Sequence, residues 1–246
     1  MISKSQIKYI HSLELKKNRK REMLYVAEGP KVVGDLLRKF TPHSIYATAE
    51  WIECNGNHAA QEVTEDELRK ISFLQHPQQV LAVFPIANEH DGVAFDRDKL
   101  YLALDGVQDP GNLGTIIRIA DWFGIDTIYC SPDTADAYNP KVVQATMGSI
   151  ARVNIIYTDL VDFFNHLDDD IPVYGTLLDG EDVYQKSITT NGIIVMGNEG
   201  NGISQEIRNK VSQKLLIPCF NTGDTAESLN VAIATAIICS EFRRRQ

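Results

Sequence analysis

Three polar patterns in this sequence have residue types and spacings that could do chemistry. In GIIVMGNEGNGISQEI, residues 192–207, an apolar run from Ile193 to Met196 is followed by Gly197, Asn198, Glu199, Gly200 and Gly202 and by a helix start at Ser204. Strand, glycine-rich loop and helix is how many proteins hold a nucleotide phosphate, because glycine lets the backbone approach closely. This loop has neither the lysine of a P-loop nor G-x-G-x-x-G spacing. It also places a carboxylate, Glu199, where a phosphate would be repelled. In DGVQDPGNLGTIIRIADWFG, residues 105–124, Asp109, Pro110 and Gly111 predict a turn and Asn112 an N-cap. Arg118 follows about 9 Å along the helix, with a side chain that leans back toward Asn112. In LLIPCFNTGDTAESLNVAIATAIICSEFRRRQ, a strand ending at Pro218 leads through a polar loop into SLN, the opening of a helix that is apolar nearly all round and therefore buried. Ser228 and Asn230 sit where that helix begins, and polar groups there need partners or a ligand. Each pattern also has a bland account: a tight turn, a surface arginine, an N-cap serine.

The elements that must position these residues alternate. Ile7, Ile10 and Leu13 make a weak amphipathic helix, MLYVAEG a strand, and Val32, Val33, Leu36 and Leu37 one helix face. SIYATAEW and QQVLAVFPI read as strands, with DELRKIS helical between them. The polar stretch ANEHDGVAFDRDK, residues 87–99, predicts a domain boundary. Beyond it, LYLALDG, DTIYC, VNIIY, VYGTLL, GIIVMG and KLLIP read as strands. The helix after the first of them carries Ile116, Ile119, Ala120 and Phe123 on one face, and a last helix runs from about Leu229 to Arg245. Such alternation predicts an α/β fold with a mostly parallel sheet covered on both faces, which binds ligands at the carboxyl ends of its strands.

Composition narrows the function. The chain of 246 residues carries a net charge of −9, unusual for an uncomplicated nucleic-acid binder. The charge is uneven. Up to Phe40 ten basic side chains face four acidic ones, a net +6, which leaves −15 for the remainder. The cluster Lys16, Lys17, Arg19, Lys20 and Arg21 lies in that basic head and suggests a localised contact with a polyanion; a solvated helix face is the plain alternative. The four cysteines are scattered without C-x-x-C, which suggests neither zinc nor a disulfide framework and fits a reducing cytosol. The histidines show no ligand spacing. No apolar run is long enough for a signal peptide core or a membrane span.

Taken in order, the three motifs resemble the SpoU/TrmH family of RNA ribose 2′-O-methyltransferases, in the SPOUT superfamily. The family pattern N-x-G-x-x-x-R-x-A-x-x-F-G lies at Asn112 to Gly124, G-x-E-x-x-G-x-S at Gly197 to Ser204, and I-P with S-L-N-V at Ile217, Pro218 and Ser228 to Val231. YNPKVVQATMGSI, residues 138–150, resembles the stretch between the first two motifs. LKKNRKREMLYVAEGPKVVGDLL resembles the small RNA-binding domain that many members carry N-terminal to the catalytic domain. Two departures stand out: the loop FNTGDTAE is longer than the family's, and Ala232 stands where many members have a second serine.

The resemblance implies an N-terminal RNA-binding domain over residues 1–90 and a methyltransferase domain over 98–246 whose chain forms a deep trefoil knot. It implies S-adenosylmethionine as cofactor, with contacts from Thr176, Leu177, Gly197, Asn198, Gly200, Gly202, Ile217 and Leu229. A methylsulfonium carries no phosphate, so a P-loop lysine is not needed and Glu199 is tolerable beside the cation. It assigns catalysis to Arg118 with Asn112, Glu199, Ser228 and Asn230. It further implies RNA as substrate, ribosomal in preference to transfer RNA, a homodimer sharing its active site, a cytoplasmic setting and no metal. Two rival readings remain open. One is a non-catalytic RNA-binding or ribosome-assembly protein of the same fold. The other is a nucleotide-dependent oxidoreductase, against which the missing G-x-G-x-x-G argues.

Overall fold

A computed structural model describes residues 1–56, 59–86, 95–223 and 226–244. The chain divides into two compact units, Met1–Asp91 with Asp136–Ala151, and Gly92–Ala135 with Arg152–Gln246. A segment from within the expected methyltransferase domain thus packs with the first unit. Residues 87–94 of the expected boundary lie outside the described residues.

In the first unit, α1 (Lys4–Ser12), α2 (Lys16–Glu22), β1 (Leu24–Glu28), α3 (Pro30–Leu37), β2 (Ser44–Ala47), α4 (Ala49–Asn55), β3 (Gln61–Glu62), α5 (Glu65–Arg69) and β4 (Val80–Pro85) follow in order. The sheet order is β1-β4-β2-β3, antiparallel except for the parallel pair β2 and β3. Its strands are apolar on both faces. Alternate residues such as Tyr25, Ala27, Ala82 and Phe84 meet Val32, Val33 and Leu36 of α3. The intervening Leu24, Val26, Leu81 and Val83 meet Ile10, Leu13 and Leu68. This period-two division explains why the strands read as continuous apolar runs.

The segment Asp136–Ala151 completes this unit. It supplies α7 (Pro140–Ala145) and a short 3₁₀ turn, Ser149–Ala151, and buries Val143 and Ile150 in the α3 face of the core. Two interactions fix it. Arg19, 1 % exposed, donates to Asp136 Oδ2 at 2.6 Å and to the carbonyls of Leu13 and Glu14. Buried Asp35 of α3 packs against Gly148, whose φ of +93° and lack of a side chain allow the approach.

Two elements of this unit differ from the sequence reading. The strand expected through SIYATAEW stops at Ala47, because Thr48 accepts from the Trp51 amide and caps α4. Lys16–Glu22 forms a helix that no apolar period announced.

The second unit holds β5 (Leu100–Asp105), α6 (Pro110–Trp122), β6 (Thr127–Cys130), β7 (Asn154–Tyr157), α8 (Leu160–Asn165), β8 (Val173–Asp182), β9 (Gly192–Gly197), α9 (Gln205–Arg208), β10 (Gln213–Leu216) and α10 (Val231–Arg244). Its six strands are all parallel, in the order β10-β8-β9-β5-β6-β7. The chain moves outward from β5 to β7, then returns to the other side, so β9 pairs with β5. The carboxyl ends of those two strands form the switch point of the sheet, the usual place for a ligand. The strand expected to reach Pro218 ends at Leu216, and α10 begins at Val231 rather than Leu229.

Arg19 gives this architecture a direct check. Arg19→Ala leaves Asp136 and two carbonyls without their partner, and removing one side of a buried pair typically costs about 3–5 kcal/mol. Chemical denaturation should show the first unit destabilised by that order; a change within about 0.5 kcal/mol, as at an ordinary surface site, would contradict this role.

Candidate active site

The first two motifs leave the adjacent ends of β5 and β9, and they are laced together. Asp105, the last residue of β5, accepts from the Ser204 amide at 2.6 Å. Asn198 donates through Nδ2 to the Gly106 carbonyl at 2.7 Å, and its Oδ1 accepts from the amides of Gly200 and Asn201 at 2.9 Å. The backbones of Asn198 and Gly202 exchange two hydrogen bonds and close the loop on itself. Gly197 lies beneath this closure, where any Cβ would collide with the backbone of Gly202 and Ile203.

Glu199 is thereby directed back over the start of α6. Its carboxylate accepts from the amides of Gln108 and Asp109, each at 3.1 Å, and from Asn112 Nδ2 at 3.0 Å. Burial pushes this carboxyl up, but the bonds from Asn112 and the backbone amides outweigh burial and hold it below the usual glutamate range. Asn112 in turn accepts through Oδ1 from Asn230 Nδ2 at 2.9 Å. Glu199, Asn112 and Asn230, one from each motif, form a single hydrogen-bonded chain.

One capping assignment from the sequence is corrected by this geometry, and the bland account of Ser228 fails with it. Asn112 is not the N-cap of α6. Asp109 is, accepting from the Asn112 amide at 2.8 Å, with Pro110 next in the helix. A proline at the first helical position fixes the helix start, with the cap immediately before it. The Asn112 side chain is therefore free to link the motifs. Ser228 likewise does not cap α10. Asn230 Oδ1 accepts from the amides of Ala232 and Ile233 while its Nδ2 reaches Asn112. Ser228 and Leu229 are exposed just before it.

Arg118 lies on the outer face of α6, exposed and without an ion pair or hydrogen bond among the described residues. Trp122, one turn on, is 85 % exposed. The inner face is carried by Leu113, Ile116, Ile117 and Ala120; Ile119 and Phe123 are only half-buried. α10 packs along α6, and Arg243 donates to the carbonyls of Phe123 and Gly124. Arg245 lies outside the described residues.

The expected cofactor contacts come from β8 just past its pairing with β9, from the ends of β9 and β10, and from the residues before α10. Thr176 and Leu177 lie on β8, Gly197 ends β9, and Ile217 follows β10. Between Gly175 and Glu181 the pairing of β8 with β10 skips five residues of β8 against none of β10, so residues 176–180 bow out of the ladder. Among the described residues the backbone amides and carbonyls of Ile217 and Leu229 have no partner in the chain. Unpaired backbone donors and acceptors suit the edge of a nucleoside base, and the ionised Glu199 suits a nearby cationic centre rather than a phosphate. The residues present thus fit an adenosyl sulfonium. Asn198, Gly200 and Gly202 are engaged in the loop itself. No cluster of His, Cys, Asp and Glu among the described residues could hold a metal, and no described helix is long and apolar enough to cross a membrane.

In the basic head, Lys16, Lys17, Lys20 and Arg21 are exposed along α2. Arg19 is not part of that surface. Its guanidinium is turned inward onto Asp136, and it is withdrawn from the expected RNA contacts.

The lowered Glu199 pKa makes a signed prediction. A carboxyl whose pKa falls on folding stabilises the fold above its unfolded pKa and loses that contribution as pH drops through the folded value. Urea melts between about pH 7 and pH 3 should show this loss in the parent chain. Glu199→Gln should be less stable at neutral pH and show a shallower acid dependence. An identical pH profile would mean that the Glu199 bonds do not hold the loop.

Known proteins share this architecture. Residues 99–240 match the family model described as the SpoU rRNA methylase family, and residues 4–82 match the MRM3-like substrate binding domain. The chain is 30 % identical to the 23S rRNA (guanosine(2553)-2′-O)-methyltransferase RlmP of Bacillus subtilis, over 97 % of this chain and 96 % of that protein. It is 33 % identical to a 23S rRNA (guanosine-2′-O-)-methyltransferase RlmB of Neisseria meningitidis serogroup B, over 78 % and 79 % of the two chains. Among solved structures, an RNA methyltransferase of the TrmH family from Porphyromonas gingivalis superposes with a TM-score of 0.90 at 42 % identity, covering 100 % of both chains. An AdoMet-bound rRNA methyltransferase from Sinorhizobium meliloti does so with 0.85 at 30 %, covering 100 % of this chain and 97 % of that one. The fold is that of the SPOUT methyltransferases. The chain belongs to the SpoU rRNA methylase family.

Proposed function

We propose that this protein transfers a methyl group from S-adenosylmethionine to a ribose 2′-hydroxyl of 23S ribosomal RNA. The observation that carries this reading is the hydrogen-bonded chain Glu199–Asn112–Asn230 at the switch point of the sheet. Family membership, the functions named for RlmP and RlmB, and the AdoMet-bound relative support it. A non-catalytic RNA-binding protein of the same fold has no need of these three side chains in one connected array. Cytoplasmic ribosomal RNA is the setting this substrate implies.

S-adenosylmethionine, when bound, supplies an activated methyl on a sulfonium; Thr176, Leu177, Gly197, Ile217 and Leu229 would hold it. The remaining work falls to the chain. A ribose hydroxyl is a poor nucleophile until its proton is polarised or removed. Asn112 and Asn230 each spend one Nδ2 hydrogen within the array and keep a second for a ribose or phosphate oxygen. Glu199 fixes the Asn112 amide and keeps the site anionic. Arg118 binds the phosphate beside the target ribose and polarises its hydroxyl; a guanidinium offers a planar fork of donors and no acceptor, so it serves as a clamp and not as a base. Alignment of nucleophile, methyl and leaving sulfur supplies much of the rate.

Arg118 has no partner among the described residues and shares its exposed face with Trp122. We therefore propose a homodimer in which Arg118 of one copy serves the array of the other and Trp122 is covered. Arg118→Ala should lower single-turnover methyl transfer by roughly 10² to 10⁴ while sparing cofactor binding, and Arg118→Lys should also fail largely. Mixing Arg118→Ala with Asn230→Ala chains should restore part of the activity, since one site of each mixed dimer is intact. Near-normal turnover in Arg118→Ala sinks the mechanism, and a monomer in sedimentation sinks the dimer.

The exposed basic face of α2 is proposed to contact RNA phosphates. Neutralising Lys16, Lys17, Lys20 and Arg21 should weaken RNA binding and flatten its salt dependence by about 0.7 to 0.9 log units per lost contact. An unchanged slope would mean a merely solvated face.

A further inference from the structure

The first unit contains a cavity of about 300 Å³ that the array at the strand ends does not use. Val26, Glu28, Phe73 and Leu74 line one side; Pro140, Lys141, Gln144 and Ala145 line the other. The first wall belongs to the sequence that matches a substrate binding domain, and the second to the methylase-family sequence, through α7. The cavity is therefore built only when Asp136–Ala151 is docked.

Its chemistry is specific. Most of the wall is apolar, with an aromatic ring at Phe73, whose edge is braced by His11 at a centroid distance of 5.3 Å. Within that wall lies one carboxylate. Glu28 ends β1, is 6 % exposed, and is held by the Ser72 hydroxyl and by the Phe73 amide at 2.9 Å. These two donors leave lone pairs on both oxygens. Burial pushes the Glu28 carboxyl above the usual range, against the opposing bonds from Ser72 and Phe73 and the nearby His11, so the carboxylate is a stronger acceptor than an exposed one. Lys141 is exposed at the rim and could meet a phosphate. The opposite wall is anchored by the Arg19–Asp136 pair and by Val143 in the core.

Proteins read RNA most specifically through bases freed from pairing, stacked on aromatic rings and hydrogen-bonded along their edges. We propose that this cavity seats an unpaired base of the substrate RNA, with Glu28 accepting from a base edge that presents adjacent N–H donors, as guanine does. The proposal rests on the RNA methyltransferase reading above. It adds a recognition point outside the three catalytic motifs.

The test uses the full chain. In amide NMR spectra, GMP should shift Phe73, Lys141, Gln144 and Ala145, while AMP and UMP should have little effect. Ala145→Phe fills the cavity from a half-buried helix position, and Glu28→Gln replaces one of the two acceptor oxygens with a donor at constant size. Each should raise KM for 23S rRNA about tenfold, the scale of one lost base-specific contact, with kcat and cofactor affinity unchanged. The two variants act through different chemistry, so failure of one to fold leaves the other decisive. Absence of GMP shifts at the cavity, equal shifts with all three nucleotides, or parental KM in the folded variants would overturn the assignment. Failure of the parent chain to methylate 23S rRNA would instead refute the methyltransferase reading, while the GMP titration would still judge the cavity.

Discussion

Glu199 carries a negative charge in a loop that begins with a glycine and would otherwise bind anions. The chain satisfies that carboxylate with two backbone amides and one side-chain amide before any ligand arrives. Those amides come from the strand-to-helix turn after β5, so the loop after β9 is held over it. Asn112 then passes the constraint on to Asn230, at the head of α10. Asn198 sets the geometry from below, with its amide spent on Gly106, Gly200 and Asn201. Three segments distant in sequence are thus registered by short polar side chains, none of which can reach its partner unless the strands pair in the observed order.

The parallel sheet makes this possible. Parallel strands send all their carboxyl ends to one edge, and the reversal of strand order at β5 and β9 opens a crevice there. The cap of α6 contributes a subtler part. Because Asp109 satisfies the helix start, Asn112 is inside the helix with its side-chain amide not used for capping and turned to Glu199 and Asn230. A cap at Asn112 would have spent Oδ1 on the backbone and broken the link to Asn230.

The meeting of the motifs was legible in the sequence, since each follows an apolar strand and such loops share an edge. The alternation also gave the parallel sheet. Other features were not legible, for physical reasons. KKNRKRE in α2 shows no apolar period because only Arg19 of that helix turns inward. That one of five clustered cations would be buried could not be read from charge, since its partner Asp136 lies 117 residues away. The capping error at Asn112 arose because Asp109, an equally good cap, stands three residues before it, and only the backbone path chooses between them. The cavity beside Glu28 was invisible because its walls come from segments with no shared pattern.

The docking of Asp136–Ala151 bears on how the chain acquires its structure as it is made. The first unit contains the first ninety or so residues, yet it cannot close its core until Val143 and Ile150 have been synthesised. β5, α6 and β6 emerge in between. Arg19 must wait in a nascent chain for its counter-ion, and the α3 face of the early sheet must stay uncovered for the same interval. Long-range closures of this kind slow folding and expose apolar surface to wrong partners. The N-terminal unit therefore finishes only after the strands that begin the second one have been made, while the second sheet in turn waits for β9, which inserts beside β5.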